Sequence, residues 1–132
     1  MTQRFTLKKE ERLKSRKAID LLFKEGQRFT VSPFRIFYHI TTEPGLKFGT
    51  GVSSKNFKKA VDRNKIKRSA REAWRLQKNG LQQVLKDQNT GLHLFIIYTV
   101  REMPDHKLVY DKMTVILNKL QKLLHENNTT NS

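Results

Sequence analysis

The chain has 132 residues, with 27 Lys or Arg against 12 Asp or Glu and a formal charge of +15. That length favours one domain, and a 36% hydrophobic content arranged in periodic blocks excludes a disordered basic tail. The absence of cysteine excludes disulfides, thiolate chemistry and cysteine zinc sites, while no apolar run approaches the roughly 20 residues that span a bilayer. The N-terminus lacks a signal-peptide hydrophobic region, so a cytoplasmic setting is expected.

Residues 1–14 read as a basic, extended arm. Ser15 is placed to cap a short helix through Lys24, with Ala18, Ile19, Leu22 and Phe23 on one face and Gly26 just past its end. Phe34 to Ile40 alternates as a strand, Phe34, Ile36, Tyr38 and Ile40 on one face and Arg35, Phe37 and His39 on the other. After the turn at Glu43-Pro44-Gly45, Leu46 to Ser53 is a second strand with Leu46, Phe48, Thr50 and Val52 on one face. A basic helix follows, with Asp62 as its N-cap and Asn79-Gly80 as its stop. Beyond Asn89-Thr90-Gly91, Leu92 to Val100 is the most apolar strand and the expected centre of the sheet. Pro104-Asp105 starts a last helix, on which Val109, Met113, Ile116, Leu117, Leu120, Leu123 and Leu124 keep helical spacing. Residues 126–132 read as a disordered polar tail, leaving 15–125 as one α/β domain.

The basic helix is the most informative segment. At about 100° per residue, Arg63, Asn64, Lys67, Arg68, Arg71, Arg75 and Lys78 share an arc of roughly 140°. Ile66, Ala70, Ala73 and Leu76 fall opposite, with Trp74 at the border. A solvated helix face normally interleaves acids with bases, yet Asp62 and Glu72 are the only acids among nine cations from Lys55 to Arg75. Such unrelieved repulsion points to a polyanionic partner. Arg grips phosphate with a planar fork, Lys acts as a point charge, and Asn64 can donate to or accept from a base or sugar.

The outward face of the first strand offers Arg35, Phe37 and His39, and the second offers Lys47, Gly49, Gly51 and Ser53. Two readings stand. An aromatic among cations can stack a base while glycines admit an RNA backbone. Alternatively, Phe37 lies beneath the first helix against Ile19 and Phe23 as ordinary core. Both hold if the helix covers only part of that face and leaves a groove.

No catalytic constellation emerges. His39, His93, His106 and His125 lack zinc-ligand spacing, there is no Gly-rich phosphate loop, and the few carboxylates form no cluster for paired magnesium ions. These features argue against an autonomous phosphodiesterase.

The run Val52-Ser53-Ser54-Lys55, Lys58-Lys59-Ala60-Val61-Asp62-Arg63-Asn64-Lys65-Ile66-Lys67-Arg68 and Arg71-Glu72-Ala73 resembles the signature of the bacterial ribonuclease P protein component. Leu13-Lys14 through Phe23-Lys24-Glu25-Gly26 is similar to that family's first helix, and Phe95-Ile96-Ile97 to its strand after the basic helix. The likeness covers roughly residues 5 to 125. Lys65 stands where the family usually has Arg, and Ile19 where it often has an aromatic.

The resemblance implies an α+β fold like ribosomal protein S5 domain 2, a single small two-layer domain. Its order is helix, three strands, basic helix, strand and helix, with a left-handed crossover. It also implies the protein subunit of an endonuclease whose large catalytic RNA, with bound Mg2+ held mainly by that RNA, removes the 5′ leader of precursor tRNA. No catalytic residue and no metal ligand are expected on this chain. Carried onto matching positions, Arg63, Asn64, Lys65, Lys67, Arg68 and Arg71 face the catalytic RNA, joined by Arg75 from the cationic arc. The leader cleft takes Ile19, Phe23 and Phe37, with Arg35 beside Phe37. Neither a membrane nor an obligate protein partner is implied. About six neutralised phosphates would give a log affinity against log salt slope near −4 to −5. Two other classes share the charge logic, a protein of structured ribosomal RNA and a DNA-binding module, although a clear helix-turn-helix pair is missing.

Overall fold

The structure, a computed structural model, describes residues 11–13 and 15–130. The expected arm therefore falls partly outside the described residues, as do residues 131–132 of the expected tail. Helix α1 spans Arg16–Glu25, strand β1 Gln27–Val31, β2 Phe34–Thr41, β3 Gly45–Val52, α2 Ala60–Gln77, α3 Asn79–Gln88, β4 Gly91–Tyr98 and α4 His106–Thr130. The four strands lie in the order β1-β2-β4-β3. β4 runs antiparallel to β2 and parallel to β3, with α2 and α3 as the connection between the parallel pair.

Alternation decides the faces. Phe34, Ile36 and Tyr38 of β2, Leu46 and Phe48 of β3, and Leu92, Leu94, Ile96 and Tyr98 of β4 are buried in one cluster. Beneath them lie Ile66, Ala70, Ala73 and Trp74 of α2, Leu81 and Leu85 of α3, and Val109, Met113, Ile116, Leu117, Leu120 and Leu124 of α4. Sheet and helix layer are the two main layers of the α+β fold, and α1 lies across part of the opposite face. The opposite face is thinner. There Leu13, Leu22 and Phe37 are buried, with Ala18, Ile19, Phe23, Phe95 and Ile97 packed against them only in part.

The caps explain several boundaries. Ser15 accepts from the Ala18 amide at 3.3 Å, and the Gly26 amide returns to the Leu22 carbonyl at 2.9 Å. Asp105 Oδ1 accepts from the Leu108 amide at 2.7 Å and starts α4. Asn89 closes α3 in the left-handed region at φ 54°, a conformation Asn tolerates. A Cβ at Gly91 would come within 2.1 Å of the Glu43 carbonyl oxygen, so only glycine lets β4 enter the sheet there.

Three expectations are corrected. Lys59, one turn before Asp62, is the N-cap of α2 and makes no side-chain cap bond, which leaves Asp62 inside the first turn, still well placed for the helix dipole. Asn79-Gly80 does not end the helical region. Leu81, Val84 and Leu85 recur at helical spacing and pack into the core, which extends the backbone into α3 after a break at Lys78. α4 continues to Thr130, so residues 126–130 are helical rather than a disordered tail. β1 is not read from alternation, but it is the first of the three strands that the resemblance places before the basic helix. It is an edge strand with only Phe29 and Val31 turned to the core.

Candidate nucleic-acid interface

The cationic surface comes from the side of α2 that faces away from Ile66, Ala70 and Ala73. Asn64, Lys65, Arg68 and Arg71 are exposed, and Arg63, Lys67 and Arg75 are half-buried. The chain before α2 carries Lys55, Lys58 and Lys59, exposed as well. The arc predicted by periodicity is therefore present, but its members are not equivalent. Arg63 folds back, and its Nη1 donates to the carbonyls of Phe57 at 2.7 Å and Lys58 at 2.9 Å. That guanidinium ties the loop to the helix and leaves its remaining N–H groups for a ligand. Arg75 Nη2 lies 3.6 Å from Glu72 Oε1, an exposed pair of small energetic weight.

Lys78, given to this surface by the helical wheel, and Trp74, placed at its border, are elsewhere. Trp74 is only 1% exposed, its ring stacked on Phe48 at 4.4 Å and 9°. Lys78 is buried and paired with Glu11 of the segment before α1. For Trp74 the reason is that α2 packs on two sides, against β3 and α4, which a single-face wheel does not anticipate.

On the thin face of the sheet, α1 stops short of covering the strands. A groove of about 430 Å³ runs between α1 and the strands, lined by Arg16, Ile19, Asp20, Phe23, Gly51, Val52, Ser53, Phe95 and Ile97. A second hollow of about 300 Å³ shares Ile19 and Phe95 with it and continues past Arg12, Leu13 and Gly49 to Arg71 of α2. The apolar groove and the cationic helix are thus neighbours. Larger hollows of about 520 and 650 Å³ lie at the other end of the sheet, near Pro44 and Lys86 and near Tyr38 and Glu126. Each carries at most one Lys or Arg and lies apart from the α2 cations.

The expected cleft residues divide. Ile19 and Phe23 line the groove, and Arg35 is exposed beside Ile97 on the same face. Phe37 does not open into it. Its ring is 6% exposed, 4.8 Å from Phe23 and capped by the Arg28 guanidinium at 5.8 Å. The core reading of Phe37 is the one observed. The residue overlooked is Phe95, whose ring meets Phe23 edge-on at 5.3 Å and bridges both hollows. Its signal was available: Phe95 and Ile97 are apolar on the face of β4 opposite Leu94 and Ile96, as befits a stretch of strand covered twice. Nor do Gly49 and Gly51 face open space. A Cβ at Gly49 would lie 2.6 Å from the Phe95 ring, so these glycines admit that ring to the sheet.

Farther along the face, His39 and His93 are cross-strand neighbours, and Lys47 flanks His93 on β3. Burial first, then the charges of Lys47 and His39, hold the His93 imidazole below its ordinary pKa, against a smaller opposing pull from Glu43. Among the described residues no three His, Asp or Glu side chains gather as metal ligands. No described helix is long and apolar enough to cross a membrane.

Comparison with known proteins agrees with this fold. The profile of the family described as Ribonuclease P matches residues 7–123. The ribonuclease P protein component of Porphyromonas gingivalis is 36% identical over 108 residues, covering 80% of this chain and 79% of that protein. The RNase P protein of Thermotoga maritima superposes with a TM-score of 0.66 at 28% identity, over 83% of this chain and 96% of that one. That of Staphylococcus aureus superposes at 0.65 and 21% identity, over 83% and 94%, a likeness of fold.

Proposed function

Because the chain belongs to the bacterial ribonuclease P protein family, we propose a division of labour between its two surfaces within that ribonucleoprotein. The chain is the protein subunit of a tRNA 5′-processing endoribonuclease and binds RNA. On our reading, the exposed face of α2, with Asn64, Lys65, Lys67, Arg68 and Arg71, meets the catalytic RNA, flanked by Arg63 and Arg75. The groove of Ile19, Phe23, Phe95 and Ile97, with Arg35 at its side, takes the single-stranded 5′ leader of precursor tRNA. Continuity of the two hollows from Phe23 to Arg71 is the observation that carries this reading.

The physical work is mainly electrostatic. Two polyanions repel, and cations interposed between them lower the Mg2+ needed to screen that repulsion. The Mg2+ ions belong in this reading to the RNA. An apolar, aromatic groove edged by cations grips a single strand with little base preference, because every base has a face to stack. Ile19 supplies contact area but no ring, which leaves stacking to Phe23 and Phe95. The setting we assign is the cytoplasm, where precursor tRNA is made in bacteria.

Cleavage of precursor tRNA by the cognate catalytic RNA at low Mg2+, with and without the protein, tests the whole reading. Strong stimulation is expected, with no cleavage by the protein alone. Absence of stimulation with a correctly matched RNA would overturn it.

A further inference from the structure

The segment before α1 is held at three consecutive residues. Glu11 forms an ion pair with Lys78, at the break between α2 and α3. Arg12 makes a parallel bridge to Phe48 on the outer edge of β3. The Leu13 amide donates to the Phe48 carbonyl at 2.9 Å, and the Leu13 side chain is buried with Leu22 and Phe37 under α1. Arg12 and Leu13 also line the hollow that leads to Arg71. Ser15, two residues on, caps α1, whose Ile19 lines both that hollow and the groove beside Phe23.

Lys78 is the one buried charged residue among those described, with its side chain 7% exposed. An ammonium in that position is costly without a counter-charge. Its counter-charge comes from 67 residues away in sequence, on the segment that walls the hollow joining the groove to Arg71. Removing the carboxylate leaves Lys78 either unpaired or driven toward solvent, and in both cases the clamp on residues 11–13 is lost. The exposed cations of α2 lie outside this contact.

We propose that the Glu11–Lys78 ion pair is a latch that docks the N-terminal segment on β3 and so sets the wall of the hollow by which the leader groove continues to Arg71, making both residues positioning residues for precursor tRNA. The inference rests on the groove reading above. Broken, the latch lets residues 11–13 lift from β3, the walls separate, and the grip on a single strand slackens. Binding of the catalytic RNA through α2 is preserved.

The test uses the full chain in the reconstituted holoenzyme. Affinity is measured for precursor and for mature tRNA, together with affinity for the catalytic RNA and hydrogen exchange at the Leu13 amide. Glu11→Gln is expected to weaken precursor binding roughly five- to ten-fold, from loss of one charged contact. Mature tRNA and catalytic-RNA affinities should stay within about two-fold, and Leu13 exchange should quicken. The reversed pair E11K/K78E should restore part of both losses, which a purely steric role would not allow. Lys78→Met, which keeps the packing, serves if the reversed pair folds poorly and should reproduce Glu11→Gln. Unchanged Leu13 exchange, or equal losses for precursor and mature tRNA, would overturn the latch. Phe23→Ala, run alongside, separates the two ideas. If it leaves the precursor-to-mature ratio unchanged, the groove reading has failed. If it moves the ratio and Glu11→Gln does not, the latch alone has failed.

Discussion

On one side of the sheet, Ile36, Leu94, Ile96 and Tyr98 close over three helices in a continuous core. On the other, the same strands meet a single helix, which buries Leu13, Leu22 and Phe37 and leaves Phe23, Phe95 and Ile97 half-covered. Alternating residues of one strand thus serve different ends. Apolar area removed from water on folding stabilises the chain, while apolar area left half-wet is available to a ligand. The contrast explains how a small protein with so large a charge can keep its fold and still offer an aromatic groove.

The largest expected effect comes from attacking the thick side. Trp74→Ala removes the ring stacked on Phe48 and should cost about 3–5 kcal/mol of stability, read from denaturant unfolding. A loss confined to RNA affinity, with unfolding unchanged, would break the contrast. On the thin side, Phe23→Ala should weaken precursor tRNA binding by about 1–3 kcal/mol, the worth of one stacked base, with mature tRNA little affected. Equal losses for both substrates would deny the groove its role. Smallest is Arg68→Ala, an exposed residue with no ion pair among the described residues. Its removal should lower the salt slope of catalytic-RNA binding by about 0.7–0.9 and reduce cleavage at low Mg2+. An unchanged slope would take Arg68 out of the phosphate contacts.

How much of this was legible depended on how local the cause was. Ser15, Gly26 and Asp105 act within a few residues of themselves, and the ends of α1 and the start of α4 follow from them. The alternation in β2 and β3 correctly assigned which face meets the core, because burial repeats with the pleat. Trp74 and Lys78 resisted for a common reason. Each is placed by a partner distant in sequence: Phe48 stacks on Trp74 and Glu11 pairs with Lys78. For Phe37 the alternation left two readings open, and contact with Phe23 decides for the core. A helical wheel ranks residues by angle but does not know that α2 is gripped on two sides. β1 and α3 were hidden more simply, one by being a half-exposed edge and the other by an Asn-Gly pair that usually ends a helix. Arg63 kept its predicted side of α2, yet its bonds to Phe57 and Lys58 make it part of the loop's scaffold as well.

The strand order has a consequence for how the chain is made. β2 and β3 are consecutive in sequence but share no ladder, since β4 is inserted between them. A chain growing from its N-terminus can form the β1–β2 hairpin early, but β3 has no neighbouring strand to pair with until residues 91–98 have emerged. The basic helix is finished before then, and its apolar side has no completed sheet to rest on. Assembly of the sheet therefore waits on its last strand, and a nascent chain stopped after α3 would be a hairpin beside a loosely held cationic helix rather than a smaller version of the RNA-binding domain.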